Sequence, residues 1–293
     1  MKYMTKIKLL ASFTLLSVAL TVQGQHEMGF SVGIGPSSFK YENSKNDGGI
    51  FNVGIEYNYC FAPNWSVGTG LEYAFLRSKG YFGNISEKQL SDVPEGLPEG
   101  SAFWIENNVS EVKETQHADC LFLPLTLQYQ TIGTNKFYVR VGMKLGIPWD
   151  ARYKSSIQSA FRRGYSDYTG QYYEDMTSHG FIKSSGMLSE GDMKLKISYI
   201  GILETGVKWS LSPNINLYTG VFVNYGFNDI RKNKPDVGFV LYNLENESLN
   251  IGDSVFQIKN GEKALLNKVY TLSFGLKMRI VVNIPKQTDK TEE

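Results

Sequence analysis

Apolar and polar side chains alternate with a period of two along most of the chain. Phe137, Val139, Val141, Met143, Leu145 and Ile147 form one row, and Tyr138, Arg140, Gly142, Lys144 and Gly146 form the other. Leu121, Leu123, Leu125, Leu127 and Tyr129 repeat the pattern against Phe122, Pro124, Thr126 and Gln128. Successive side chains of a strand point to opposite faces, so this period predicts β-structure; a helix would scatter the charges around its axis. The pattern predicts eight strands, at 27–36, 50–61, 65–77, 119–130, 136–147, 194–210, 214–226 and 266–282.

The connections sort into two kinds. Ala62-Pro63-Asn64, Thr131 to Asn135 and Leu211-Ser212-Pro213 are tight turns with Pro, Gly and Asn where turns favour them. Ser37 to Gly49, Ser78 to Ala118, Pro148 to Met193 and Phe227 to Leu265 are long. Short and long alternate without exception, the arrangement of an outer-membrane barrel with periplasmic turns and extracellular loops. The fold expected is an all-β, antiparallel, up-and-down, eight-stranded transmembrane β-barrel.

A soluble barrel would bury the apolar row, and side-chain bulk excludes that. The apolar rows carry Phe51, Tyr57, Tyr59, Phe61, Trp65, Tyr73, Phe75, Tyr129, Phe137, Tyr199, Trp209, Tyr225, Tyr270 and Phe274. Eight strands enclose a space that ordinary side chains just fill. The opposite rows hold glycines, among them Gly33, Gly54, Gly68, Gly142, Gly206 and Gly220, together with the charges Glu56, Glu72, Arg140, Lys144, Lys196, Glu204, Lys208, Lys277 and Arg279. A Lys or Arg on the lipid face at the midplane would cost roughly 2–4 kcal/mol. The apolar rows therefore face lipid, with Trp65, Tyr129, Phe137 and Trp209 forming a girdle beside the short turns.

The first residues predict export. Lys2, Lys6 and Lys8 precede an uncharged apolar run from Leu9 to Leu20, and Val22 and Gly24 occupy the −3 and −1 places of a cleavage site. The expected organisation is a signal peptide at 1–24, a barrel at 25–284 and a short polar periplasmic tail at 285–293. No cysteine at the cleavage site offers a lipid anchor, and the tail is too short for a peptidoglycan-binding domain. Removing three lysines and no acids takes the formal charge from +1 to −2, which argues against nucleic acid as a partner.

The run Phe122-Leu123-Pro124-Leu125-Thr126-Leu127-Gln128-Tyr129 resembles a strand of the PorT-like outer-membrane β-barrel family. Val53-Gly54-Ile55-Glu56-Tyr57 and Phe274-Gly275-Leu276-Lys277 are similar to that family's glycine-alternating strands. The resemblance implies one barrel domain in the cell outer membrane. It implies little about activity, since one founding member is linked to protein secretion and most relatives are uncharacterised.

Candidate chemistry lies in three places. Glu56, Glu72 and Glu204, facing Arg140, Lys144, Lys208, Lys277 and Arg279, predict an ion-pair plug in the lumen; the alternative is a small-solute or ion pore. His117 beside Asp119, with His179 in the next loop, is the best candidate for a lipid-modifying enzyme, but nothing places a nucleophile beside either. Arg162, Arg163, Tyr165, Tyr168, Tyr172 and Tyr173 are residue types that anchor recognition. The expectation is a monomeric, non-enzymatic barrel that contacts outer-membrane lipid. Its loops bind a partner or surface ligand, or serve a secretion or envelope complex. No metal or cofactor is implied. Cys60 and Cys120 fall at opposite ends of descending strands, too far apart for a disulfide.

Overall fold

The computed structural model describes residues 25–41, 45–91, 102–133, 136–232, 238–260, 263–264, 266 and 268–284. The predicted leader and tail lie outside the described residues. The strands are β1 (Gln25–Lys40), β2 (Lys45–Ala62), β3 (Trp65–Leu90), β4 (Phe103–Gln130), β5 (Lys136–Ser166), β6 (Gln171–Tyr173) and β7 (Lys183–Asp192). They continue as β8 (Ser198–Ser212), β9 (Ile215–Gly226), β10 (Val240–Asn243), β11 (Ser248–Ile251), β12 (Lys259–Asn260), β13 (Lys263–Ala264) and β14 (Tyr270–Ile284).

Eight of them close an antiparallel ring in the order β1-β2-β3-β4-β5-β8-β9-β14, with β14 returning to β1. Every ring neighbour is also a neighbour in barrel order along the chain, so the connectivity is up-and-down. Closure leaves no sheet edge within the ring, the condition for spanning lipid with strands. Pro63-Asn64 and Pro213-Asn214 form the tight turns at the end that carries Gln25 and Ile284.

The alternation settles which row faces which way. Met28, Ile34, Ile55, Leu125, Phe137, Met143, Val221, Phe274 and Leu276 are exposed on the outer wall, whereas Glu56, Glu72, Arg140, Lys144, Glu204, Lys208, Lys277 and Arg279 are buried. Trp65 packs on Tyr129 with ring centroids 4.9 Å apart beside the first turn, and Trp209 Nε1 donates to Thr219 at 2.9 Å beside another. Lys196 departs from the expectation: it precedes β8, is exposed, and does not line the lumen.

Three of the four long connections hold continued strands; in the first, Ser37 to Gly49, β1 runs on to Lys40 and β2 begins at Lys45. β3 and β4 run on past the predicted ends at Leu76-Arg77 and Asp119, so that Ser78–Leu90 pairs with Trp104–Ala118 as an extension of both strands. β5 continues through Pro148 to Ser166, pairing with β4 on one side and with β7 on the other. The three strands form a blade that stands above the ring. From Arg77 to Leu90 the blade extends on the order of 40 Å at the usual strand rise. At one level of the blade Gly83, Glu111 and Gly186 have positive φ; the register shifts around Gly83, and the pairing is interrupted between Ser110 and Lys113 and between Ser185 and Met187. Nothing lies within 4 Å of a side chain at Gly83 or Gly186, so the backbone conformation itself favours glycine there.

Polarity inverts where the blade begins. On β5 the outward row is Phe137 to Ile147 at odd numbers; after a register shift at Pro148–Asp150 it becomes Arg152, Lys154, Ser156 and Gln158 at even numbers. The inward row changes from Arg140 and Lys144 to Ala151, Tyr153 and Ile157. The same change falls between Phe75 and Arg77 on β3 and between Leu121 and Asp119 on β4. Below this line the outside is apolar and the inside polar; above it the order is that of a water-soluble sheet.

The inward row of the blade packs against described residues of the connection between β9 and β14. Val255, Phe256 and Ile258 join Ile85, Val109, Val112, Ile157 and Phe239 in one apolar core, which continues down to Phe122, Ile200 and Phe222 at the mouth of the ring. Phe256 meets Phe39 edge-on at 5.6 Å and Tyr41 at 5.5 Å. The ring is thus capped on its long-loop side by a packed core.

Candidate functional site

The lumen holds three layers of charge. Lowest is Lys208 of β8, whose Nζ lies 3.2 Å from Glu27 of β1 and 3.5 Å from Gln130 Oε1. Above it Glu56 of β2 accepts from Arg140 of β5 at 2.8 Å and from Arg279 of β14 at 2.9 Å. Arg279 Nε is 3.0 Å from Glu204 Oε1, and Tyr138 donates to the same carboxylate at 2.8 Å. The Arg279 guanidinium also lies over the Tyr218 ring at 4.3 Å and the Tyr138 ring at 5.0 Å. In the third layer Lys144 and Lys277 both hold Glu72.

All eight lumen residues read from the sequence meet in this network. The one omitted was Glu27, the partner of Lys208. It sits on the polar row of the first strand, opposite Met28, so the signal was present at the very start of the period. With it, four carboxylates (Glu27, Glu56, Glu72, Glu204) face five cations, and all nine are buried. A charge held out of water is tolerated when each finds partners and its remaining donors are met. Arg140 shows how: its Nε donates to Thr126 at 2.9 Å and its Nη2 to Asn58 at 3.1 Å. Gly68 makes room for it, since a Cβ there would stand 2.7 Å from Arg140 Nη2 and 2.2 Å from Asn58 Oδ1.

Below the lowest layer a cavity of about 530 Å³ opens toward the short turns, lined by Glu27, Cys60, Gln130, Lys136, Lys208 and Asn216 among others. The ion layers close it from above. Cys60 lines this vestibule, and Cys120 lies buried near the apolar cap; both are free thiols.

The six residues proposed for recognition divide at the tip of the blade. Arg163, Tyr165 and Tyr172 share its outer face; Tyr168, in the turn between β5 and β6, is 87% exposed. Arg162 points inward beside Asn107 and Glu87. Glu87 in turn accepts from Asn107 at 3.2 Å and from the Phe239 amide at 3.2 Å. Arg162 thus belongs to the blade's internal packing. Tyr173 packs edge-on against Phe103 at 5.5 Å and donates to Thr169 at 3.1 Å.

Register assembles the outer face into two rungs. One runs Leu90, Trp104, Tyr165, Tyr172 across four strands. The other is polar, with Lys88 opposite Glu106 and Glu106 opposite Arg163. Arg163 lies 4.1 Å over the Tyr172 ring and donates to Glu106 at 2.9 Å, while Lys88 lies 5.2 Å over Trp104. Those donors hold the Glu106 carboxyl below the usual carboxylate range against the opposing effect of desolvation. Trp104 Nε1 donates to Asp167 at 2.8 Å. Trp104, Lys88 and Glu106 were not read from the sequence, because Ser78 to Ala118 showed no strand register that would bring them beside Tyr165.

His117 and Asp119 both face outward on β4. Asp119 accepts from the Tyr73 hydroxyl at 3.1 Å, and His179 lies apart, in a short 3-10 turn (Thr177–His179) beside Ser178 at 3.0 Å. Among the described residues, the Tyr73 hydroxyl is the side chain hydrogen-bonded to the pair. Among the described residues there is no group of three or more His, Cys, Asp or Glu placed to hold a metal.

A closed antiparallel ring, apolar outside and ion-paired within, defines an integral β-barrel of the outer membrane. The chain belongs to the outer membrane protein beta-barrel domain family, whose model matches residues 9–252. Among solved structures it is similar to neisserial surface protein A, at 11% identity over 89% of this chain and 97% of that one, with a TM-score of 0.35. OprG from Pseudomonas aeruginosa gives 14% identity, coverage of 90% and 97%, and a TM-score of 0.36. Ail of Yersinia pestis gives 14%, coverage of 88% and 99%, and 0.29. These likenesses concern the fold, and no residue is carried across from them. No curated protein sequence gives a match.

Proposed function

We propose that this outer-membrane barrel is a closed, non-enzymatic anchor whose blade binds a partner or ligand outside the cell. The observation that carries the reading is the rung Leu90–Trp104–Tyr165–Tyr172. It sets large rings side by side at the far end of a rigid, hydrogen-bonded sheet rather than on a loose loop. Tyr and Trp contribute broad contact area at small entropic cost, and Arg163, already oriented by Glu106 and Tyr172, adds a fixed charge. The lumen supports the anchor role, since its charges are spent on one another. The narrower likeness to the PorT-like group rests on the Phe122 to Tyr129 run and the glycine-alternating strands, and leaves a role in a secretion or envelope complex within the same reading.

A photocrosslinking residue placed at Tyr168 or Tyr172 in intact cells tests this. A discrete adduct that disappears in a Trp104→Ala/Tyr165→Ala background is expected. The same crosslinker at Ile55, on the lipid-facing wall, should not give that adduct. An adduct indifferent to the loss of Trp104 and Tyr165, or none at either tip position, would count against the reading.

A further inference from the structure

β7 is the last strand of the blade beyond β5, and among the described residues its outer edge takes no backbone partner. Its inner edge pairs with β5, from Phe161 opposite Lys183 down to Arg152 opposite Asp192. Just below, the Met193 amide donates to the Ala151 carbonyl at 2.7 Å. Hydrogen bonds alternate along each strand of an antiparallel pair. Counting up from that bond, the backbone groups of Gly191, Ser189 and Met187 turn toward β5, and those of Leu188, Glu190 and Asp192 turn away from it. The free stretch from Leu188 to Asp192 extends about 14 Å at the usual strand rise.

Folds usually guard such an edge with a proline, an inward-pointing charge or a bulge. Above Leu188 the positive φ of Gly186 interrupts the strand. Below it the guards are missing: Met187 to Asp192 contains no proline, and the inward row of Met187, Ser189 and Gly191 carries no charge. The outward row is Leu188, 69% exposed, followed by Glu190 and Asp192, both exposed. The cations that meet these acids belong to β5. Lys154 stands 3.6 Å from Glu190, while Arg152, opposite Asp192, is held by Asp150 at 3.0 Å.

A row of amides and carbonyls held in strand conformation is complementary to an extended polypeptide. The side chains narrow the class. Directly opposed residues on one face of a sheet interact as pairs. A lysine or arginine therefore suits the places opposite Glu190 and Asp192, and an apolar residue the place opposite Leu188. Two copies of this chain in one membrane would bring their β7 edges together only in parallel, and β7 holds no basic residue from Ser184 to Asp192 to meet the acids. We propose that the outer edge of β7 from Leu188 to Asp192 takes up, by strand addition, an extended segment of another polypeptide with basic side chains across from Glu190 and Asp192 and an apolar one across from Leu188. The site lies below the aromatic rung of the tip and does not depend on it.

The full chain purified in zwitterionic detergent, with the labelled peptide Thr-Lys-Thr-Lys-Thr-Ile-Thr as the probe, tests the site by fluorescence anisotropy. In antiparallel register this peptide sets its lysines opposite Asp192 and Glu190 and its isoleucine opposite Leu188. Saturable binding is expected. N-methylation of the lysines blocks amides that would face β7 and should weaken binding about tenfold or more. N-methylation of the threonines beside them, whose amides face away, should change it by less than about twofold. Glu190→Pro removes an edge amide that β5 does not use, and should match the loss seen with methylated lysines. Trp104→Ala/Tyr165→Ala should leave binding intact, so the edge and the tip fail separately. Heat-modifiable migration in gels checks that the variants are folded, and the methylated peptides need no variant. Absence of binding by the unmodified peptide would overturn the proposal, as would equal binding by the two methylated forms. A dimer of the chain in native mass spectrometry that Glu190→Pro dissolves would give the edge to a second copy and overturn it as well.

Discussion

Arg140 and Glu56 meet at 2.8 Å across the lumen although their strands, β5 and β2, are not neighbours in the ring. The pair ties opposite walls of the barrel together. Glu56 also receives Arg279, so its removal strands two buried guanidinium groups. Breaking a buried pair from one side costs about 3–5 kcal/mol, whereas replacing both partners with apolar groups is often near neutral. Glu56→Ala should therefore lower stability in urea unfolding from detergent by an amount in that range. Substituting Glu56 and Arg140 together by Leu and Met should recover part of the loss, leaving Arg279 with Glu204. A Glu56→Ala barrel as stable as the parent would show that the network contributes nothing.

Among the described residues, buried charges fill the lumen and an apolar core lies over it. In planar bilayers the purified protein should show no steady conductance. Stable, large single-channel steps would mean that the lumen opens.

Glu114 links the blade to its cap. Its carboxylate accepts from Ser155 at 2.6 Å, Ser254 at 2.7 Å, Gln116 at 2.9 Å and the Val255 amide at 2.9 Å, with no ion pair to it among the described residues. Burial pushes this carboxyl above its usual range, outweighing the four donors. A raised folded-state value means that the folded form binds the proton more tightly than the unfolded one. The resulting stability is fully present below the ordinary glutamate value and is lost as pH rises through the raised one. Mild acid should thus tighten segment 253–258, read as slower hydrogen exchange after correction for intrinsic rates. Glu114→Ala should speed exchange in that segment at every pH and abolish the pH effect. Loosening on acidification in the parent would contradict the assignment.

Cys60 lines the vestibule at the turn end and Cys120 lies beneath the cap at the other. After denaturing alkylation of protein purified without reductant, intact mass should show two modified thiols per chain. A Cys60–Cys120 bridge is incompatible with this ring.

The ring was legible because one physical rule, period two with lipid on one side, holds along each spanning segment. The lumen residues followed from the same parity. The blade was not legible for a reason visible at Pro148 to Asp150. There the register shifts by one residue and the solvent changes from lipid to water, so the apolar row moves from the outside to the inside. A reading that follows one apolar face meets Arg152 and Lys154 and stops at Ile147. Further out, at the level of Gly83, Glu111 and Gly186, the buried row changes parity again. The tip residues Arg163, Tyr165 and Tyr172 were singled out by type. Their assembly with Trp104 and Glu106 depends on cross-strand register, which the sequence carries only through neighbours far away in the chain. Arg162, of the same type as Arg163, turns inward because it differs by one position.

The orientation of β5 is where the account is most exposed to test. Spin labels placed singly from Phe137 to Gln158 report contact with oxygen dissolved in lipid or with a water-soluble nickel chelate. The structure predicts lipid contact at the odd positions 139 to 147, a break of phase at 148–150, and water contact at the even positions 152 to 158. Water contact at 139 to 145, or an odd-numbered lipid phase continuing unbroken to 158, would contradict it.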